Sequence, residues 1–299
     1  MGEKLMRLTR SLNRKTQLQY LSLVLPGLFV FTVGLIIPIF LGFRYSLTSW
    51  DGLSAEMPFV GFDNYARIFS DSTALSAWSF TLRFTFWNTL IQNVFALLLA
   101  VALDSAIKLK RLFRTVVFIP CLVSALVVGF VWLRLFGSVL PALMETLGLD
   151  INMMLLGSSD TVLTGLLIAN NWQWIGFWMM IYLAALQSIP PVLYEAAKVD
   201  GANVFQQFFR ITLPMLAPAI TICVVGITTG SLRVFDLLVS STGGGPGRAS
   251  MSIVQYTYNT AVSSRQYGYG SALSLSVIVV LLIVAVGQIF VLKRREVQL

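Results

Sequence analysis

"YEAAKVDGANVFQQFFRITLPMLAP", Tyr194–Pro218, gathers Glu195, Lys198, Asp200 and Arg210 into one short interval between two long apolar runs. Placing Glu195, Lys198 and Asp200 at the centre of a bilayer would cost about 2.5–3.5 kcal/mol apiece on insertion scales. The interval therefore belongs in water or against protein. Its local signals describe two short helices. Pro190-Pro191 suits a helix start, Val192–Val199 has room for two turns, and Asp200-Gly201 stops them. Asn203 is placed to cap a second helix, on which Phe205, Phe208 and Phe209 share a face at i, i+3, i+4 spacing. Leu213-Pro214 then opens the next apolar run. Such a helix–turn–helix can rest its phenylalanines among lipid headgroups, or insert them into a groove on a soluble partner.

The rest of the chain decides where this unit sits. Of 299 residues, 57% are hydrophobic and 11% charged, with a mean hydropathy of +0.80. Too little polar surface is available for a soluble domain of this length, so the class is a polytopic membrane protein in a lipid bilayer. The net charge of +8 does not indicate nucleic acid, because the basic residues stand at the edges of apolar runs rather than on one polar face. Cys121 and Cys223 lie inside apolar runs and show neither metal spacing nor a disulfide framework. Histidine is absent, which removes the commonest general base and metal ligand and weighs against a membrane enzyme.

Six stretches are long enough to cross the hydrocarbon layer: Tyr20–Tyr45, Leu82–Leu103, Phe113–Phe136, Thr161–Gln187, Leu213–Val239 and Ser271–Leu292. The first follows a basic start, but its apolar run is too long for a signal peptide and no small-residue cleavage site follows, so it is expected to remain as a span. Lys4–Gln17 can form an amphipathic surface helix. Fourteen of the 21 Lys and Arg residues fall in the N-terminus, the second and fourth loops and the C-terminus. The others, Arg44, Arg67, Arg83, Arg134, Arg233, Arg248 and Arg265, are scattered over the alternate loops and span ends. This asymmetry predicts cytoplasmic termini and a cytoplasmic Tyr194–Pro218.

No G-x-x-x-x-G-K-[ST] sequence is present, so the chain has no P-loop for ATP; "TGGGPGRAS" lacks the required lysine. An ion-coupled carrier keeps ionisable groups at mid-membrane. Here Asp236 alone lies clearly within a span, and Arg233, three residues earlier, is expected to pair with it. Energy must then come from another chain. In the fourth span, Asn170, Gln173, Trp174 and Phe177 fall at i, i+3, i+4, i+7, one helix face near the midplane. Amides beside aromatic rings suit a sugar, whose hydroxyls take hydrogen bonds while its apolar face stacks. The same face would equally serve as a helix–helix seam. In the fifth span Gly226 and Gly230 form a G-x-x-x-G pair, usually a close-packing face, and Thr228, Thr229 and Ser231 can bond their own backbone. Arginines toward the outer face also admit an anionic substrate, a uronic oligosaccharide or a glycerol phosphate, though snorkelling is their ordinary use.

"EAAKVDGANVFQQFFRITLPMLAP" resembles the EAA loop of binding-protein-dependent ABC importer permeases: E-A-A, a glycine shortly after, then I-x-L-P. "LQSIPPVLYEAAKVDGA" and "VFDLLVSSTGGGPGRASMSIVQYTYNTAV" narrow the resemblance to the carbohydrate-uptake, maltose-type class. It covers roughly residues 78–295, after an N-terminal segment (1–19) and a first helix (20–46), with the coupling loop at 190–214. The resemblance implies the all-α type I ABC importer permease fold with six transmembrane helices, in the bacterial plasma (inner) membrane. It also implies a second homologous permease subunit, two copies of a cytoplasmic ABC ATPase that bind ATP and Mg, and an extracellular or periplasmic solute-binding protein. Carried over by position, Glu195, Ala196, Ala197, Asp200, Gly201 and Ala202 would dock on the ATPase. Asn170, Gln173, Trp174 and Phe177 would line the substrate path, with Thr228 and Ser231 beside it. No catalytic residue and no metal site is implied in this chain.

Overall fold

The computed structural model describes residues 14–104, 109–149 and 154–294, with side chains from residue 19 onward. The surface helix expected over Lys4–Gln17 lies outside them, save for the start of α1. Among the described residues the architecture is helical, with a single isolated bridge, Thr48 to Phe59. That follows from the solvent: in hydrocarbon every backbone N–H and C=O must be satisfied within the segment, and a helix does so.

In chain order, α1 (Arg14–Phe31) passes through a π turn (Thr32–Ile36) into α2 (Ile37–Ser46), followed by α3 (Asp63–Ser70) and the long α4 (Ser72–Asp104). Next come α5 (Lys110–Phe118), a 3-10 turn (Ile119–Leu122), α6 (Ala125–Arg134), a π turn (Leu135–Val139) and α7 (Leu140–Thr146). Then α8 (Val162–Gln187) leads to α9 (Pro191–Val199), α10 (Val204–Gln207), a π turn (Phe208–Thr212), α11 (Leu213–Met215) and α12 (Ala217–Leu232). The chain ends with α13 (Asp236–Ser241), α14 (Ile253–Tyr258), a π turn (Asn259–Ser263) and α15 (Tyr267–Lys293). Among the described residues four helices are long and apolar enough to cross a membrane, and up to six if each of two sharply bent pairs is one span.

Two expected spans are interrupted rather than continuous. The third, placed at Phe113–Phe136, breaks after Phe118 where Pro120 enters, turns extended at Val123, and restarts as α6. Its long apolar helix therefore lies later, over Ala125–Thr146. Proline has no N–H to give and clashes with the preceding turn, so helix cannot run through it unaltered. The fifth, placed at Leu213–Val239, bends by 66° between Met215 and Ala217, beside Pro214 and Pro218, and unwinds again over residues 233–235. The second span starts ten residues earlier than Leu82, at Ser72.

Parallel α4 and α8 form the spine, early residues of one packing on early residues of the other and late on late. In one half, Ala96 and Ala100 are fully buried and let Met179, Tyr182 and Leu183 of α8 approach with Leu216, Cys223 and Ile227. In the other half, Phe80, Phe84, Val128, Leu166, Leu167, Leu237 and Leu238 form a second cluster. A third joins α3, α14 and α15 through Ile68, Ile253, Tyr269 and Leu273. By contrast the span Gln19–Ser46 buries nothing in its most apolar window, leaving Phe29 69% and Phe40 70% exposed. Such a wall is stable in lipid or against another subunit.

One polar clamp fixes the far end of the spine. Asp71 precedes α4 and accepts from the amides of Thr73 (2.9 Å) and Ala74 (3.3 Å), and from the hydroxyls of Tyr256 (2.6 Å) and Tyr269 (2.8 Å). Burial pushes the carboxyl up, but the Tyr256, Tyr269, Ala74 and Thr73 hydrogen bonds together outweigh it, and the net pKa is lowered. A lowered folded value gives stabilisation that is complete above the ordinary aspartate value of about 3.9 and is lost as pH falls through the folded value. Asp71→Asn in detergent should lower the unfolding midpoint by a few degrees at pH 7, with the gap from wild type closing below about pH 3.9. Equal midpoints at pH 7 would contradict the clamp.

Candidate functional site

Between the two core clusters lies a cavity of about 260 Å³, bounded by α4, α8, α12 and the unwound 233–235 segment. From α8, Asn170, Trp174 and Trp178 face it at four-residue spacing; α4 gives Asn88 and Gln92, also four apart. Four residues advance about 40° past a full turn, so the residues of each set stay near one helix face. Gly226, Gly230 and Ser231 of α12, then Arg233, Phe235 and Asp236, complete the wall. Trp174 is the thirteenth of α8's 26 residues, which puts the cavity near mid-membrane.

The amides are wired across the helices. Asn171 Nδ2 donates to Asn88 Oδ1 (3.0 Å) and to its own helix at Leu167 O (2.8 Å). Asn88 Nδ2 donates to Ser231 Oγ (2.8 Å), which donates to Ile227 O (2.7 Å). Gln92 Nε2 reaches Asn170 Oδ1 at 3.3 Å. Asn171 Oδ1 remains buried without a partner. Beside this polar strip Trp174 and Trp178 each meet Phe177 edge to face, at 6.2 and 5.0 Å. Amide on one side and indole on the other is a surface for a hydroxylated ring.

Of the residues expected on the path, Asn170, Trp174 and Ser231 line the cavity. Gln173 does not: it is buried and donates to Val123 O (2.8 Å), tying down the break before α6. A three-residue step turns a side chain the opposite way round the axis from a four-residue step. Gln173 and Phe177 thus fall on the flank, and Phe177 is 38% exposed. Thr228 also misses the cavity, contacting Thr89 Oγ1 (3.2 Å) and accepting from Gln288 Nε2 (2.9 Å). Thr229 bonds its own backbone at Val225 O (2.8 Å), as a hydroxyl in a span commonly does. The expected Arg233–Asp236 pair does not form: the helix unwinds between them, Arg233 Nε donates to Thr229 O (3.2 Å), and Asp236 starts α13.

Asn88, Gln92, Trp178, Phe235 and Asp236 were not expected as lining. The signal for the first two is "NTLIQN" in the second span, amides four apart in an apolar run. The glycine pair divides. A Cβ on Gly226 would collide with the Trp178 ring, whereas one on Gly230 meets nothing within 4 Å and would project into open space.

At one end of the spine, α9 leaves α8 at 65° and forms the helix–turn–helix. Asn203 Oδ1 accepts from Gln206 N (2.9 Å), and Asn203 N donates to Gln206 Oε1 (2.8 Å), a complete capping box. Gly201 sits at φ +77°, a conformation glycine reaches without penalty. Tyr194 and Thr212 hydroxyls meet at 2.9 Å and close the base. Glu195, Ala196, Asp200 and Gly201 are exposed, while Ala197 and Ala202 are half-buried, Ala202 N donating to Ala197 O (2.9 Å). The apolar face differs from the expected one. The π turn starts at Phe208 and turns it inward, half-buried against Phe209; Val199 (88%), Val204 (78%) and Phe205 (77%) present the tip instead.

The chain belongs to the family of binding-protein-dependent transport system inner membrane components, whose model matches residues 92–294. It is a multi-pass membrane transport subunit and not an ATPase. It is 31% identical to a probable starch degradation products transport system permease protein, AmyD, of Thermoanaerobacterium thermosulfurigenes, over 95% of this chain and 97% of that one. To the multiple sugar-binding transport system permease protein MsmF of Streptococcus mutans it is 34% identical, over 87% and 90%. Among solved structures, it superposes with a TM-score of 0.81 and 25% identity on a chain of a bacterial ABC transporter involved in the import of the acidic polysaccharide alginate. That match covers 94% of this chain and 96% of the other. The fold is the all-α type I ABC importer permease fold. Filling the cavity without disturbing the wall should stop transport: Gly230→Leu is expected to fold and reach the membrane at wild-type levels with transport reduced at least about tenfold. Wild-type uptake would show that the cavity is not on the path.

Proposed function

We propose that this chain moves an oligosaccharide across the plasma membrane as one permease subunit of an ATP-driven importer. The observation that carries the reading is the cavity itself: the amides of Asn88, Gln92 and Asn170 and the hydroxyl of Ser231 beside the indoles of Trp174 and Trp178, at mid-depth in an apolar chain. Sugars present hydroxyls in the ring plane and an apolar face across it, so the amides take the hydrogen bonds and the indoles the stacking. The sugar-named relatives support the same class. The lining favours a neutral cargo over a uronic or phosphorylated one. Of the arginines Arg44, Arg83, Arg134, Arg233 and Arg265, Arg233 alone is in the lining, and Asp236 lies in the same wall.

The energy comes from outside the chain, which carries no P-loop; ATP and Mg would be held by the two copies of the partner ATPase. The α9–α10 tip is the handle. Val199, Val204 and Phe205 enter a cleft on the ATPase, Glu195 supplies a charged contact at its rim, Ala196 and Ala197 permit close approach, and Gly201 makes the turn. A second homologous permease subunit covers the open side of the cavity, and the solute-binding protein delivers cargo at the opposite face. The K/R asymmetry supports a cytoplasmic tip and cytoplasmic termini. Closure of the ATPases around ATP draws the two tips together and turns the cavity outward; hydrolysis returns it inward, an exchange between two states biased by nucleotide. An ion-coupled carrier would need more than Asp236 as a proton or sodium relay.

Gly201→Pro and Glu195→Lys should each leave ATPase activity insensitive to substrate-loaded binding protein while uptake falls at least about tenfold. Normal coupled ATPase in both would remove the handle. Trp174→Ala should abolish sugar uptake with the ATPase complex still assembled, as judged by co-purification; unchanged uptake kinetics would take the indole off the path.

A further inference from the structure

At the end of the molecule away from the α9–α10 tip, a second hollow of about 240 Å³ opens between α3, the start of α4 and residues 248–266. It shares no lining residue with the membrane cavity. The α4 helix has 33 residues, so at 1.5 Å per residue the hollow stands about 50 Å along the spine from the tip end. Two guanidinium groups, Arg67 and Arg248, look into it alongside Thr73, Asn259, Ser264 and Gln266.

Both cations are held in place, and neither makes an ion pair with a carboxylate among the described residues. Arg67 lies over the Tyr269 ring at 4.0 Å from its centroid, and Arg248 Nη1 donates to Thr73 Oγ1 at 3.2 Å. The neighbouring acid, Asp71, is committed elsewhere: one oxygen accepts from the Thr73 and Ala74 amides and the other from Tyr256 and Tyr269. Arg248 also stands at φ +71°, a left-handed backbone that strains any residue carrying a Cβ. It follows directly on Gly247. A glycine would relieve the strain at this position, and what the chain gains by keeping arginine is the guanidinium. A strained arginine that makes no ion pair among the described residues, set in a polar hollow, is the observation from which a recognition role is argued.

We propose that this hollow receives a carboxylate side chain of the solute-binding protein and anchors it on the permease. The inference rests on the import reading above, which puts that protein on this face. Two guanidinium groups match the planar, two-oxygen geometry of a carboxylate, and the amide and hydroxyl groups around them can take its remaining lone pairs. At the rim of an interface such a contact sets approach rate and salt dependence more than bulk affinity.

The test uses the whole transporter, permease pair with ATPases, in lipid nanodiscs, titrated with substrate-loaded binding protein; the apparent affinity is read from stimulated ATP hydrolysis at low and high salt. Arg248→Gly deletes the cation yet suits the left-handed backbone, so it separates charge from folding. It should weaken the apparent affinity about tenfold at low salt and flatten the salt dependence. Arg248→Glu should weaken it further, and an acid-to-lysine change on the binding protein's docking face should restore it. Arg44→Gln, outside the hollow, should behave as wild type. Wild-type affinity and salt slope in both Arg248 variants would overturn the proposal while leaving the import reading intact. Inorganic phosphate that competes with the binding protein at matched ionic strength, in wild type and not in Arg248→Gly, would reassign the hollow to a free anion. A wild-type complex indifferent to loaded binding protein would remove both readings together.

Discussion

An amide at mid-membrane depth has no water to turn to, and an unpaired one costs several kcal/mol. The structure answers with a relay: Asn171 donates to Asn88, Asn88 to Ser231, and Ser231 to the carbonyl of Ile227. Its three side chains come from α8, α4 and α12, so one line of hydrogen bonds fixes the mutual height and rotation of three helices whose apolar contacts would tolerate sliding. The relay is satisfied along its length but not at its edges. Asn170 has one visitor, Gln92, at 3.3 Å, and Asn171 keeps an orphaned oxygen. Asn88, Gln92, Asn170 and Ser231 line a cavity that also carries the Trp174 and Trp178 indoles, while Asn171 stands outside the lining. Residues that hold the helices in register thus also shape the cavity.

The second constraint is mechanical. The α8 helix carries the cavity residues in its middle and runs without interruption from Val162 to Gln187 before bending into α9. Small residues seat it: Gly176 packs against the backbone of Val117 and Phe118, and Ala96 and Ala100 of α4 accept Met179 and Tyr182. A helix so closely packed transmits displacement rather than absorbing it. In the proposed cycle, movement of the exposed Val199–Phe205 tip would reach Trp174 and Asn170 through the α8–α9 junction, which is bent by 65°. Pro120, Pro214 and Pro218 stand where the neighbouring spans break or bend.

The helical membrane class, the fourth span and the helix–turn–helix were legible because each has a local cause: apolar length, proline at a helix start, glycine in a turn, asparagine as a cap. The Asn203 box was visible from residue type alone. Span continuity was less legible. Hydropathy sums over Phe113–Phe136 and Leu213–Val239 do not register that Pro120, Pro214 and Pro218 break or bend the helix. The unwinding over residues 233–235 has no such local marker, and it undid the expected Arg233–Asp236 pair. In the site, helix periodicity put four α8 residues on one face, of which Asn170 and Trp174 line the cavity while Gln173 and Phe177 stand on its flank. A helix has several faces near mid-depth, and which one meets a cavity depends on neighbours far away in sequence. Asn88 and Gln92 sit about 80 positions before their partners in α8, a separation that single-helix patterning cannot bridge.

The central claim is that the amide-and-indole cavity opens to one side of the membrane and then to the other under control of nucleotide on another chain. The most direct measurement places a cysteine at Asn170, with Cys121 and Cys223 replaced, and follows its labelling by a membrane-impermeant maleimide in oriented proteoliposomes. The account predicts reaction from the tip side without nucleotide, and from the opposite side when a non-hydrolysable ATP analogue and loaded binding protein are present, with sugar slowing both. Labelling from the same side in both conditions would contradict it.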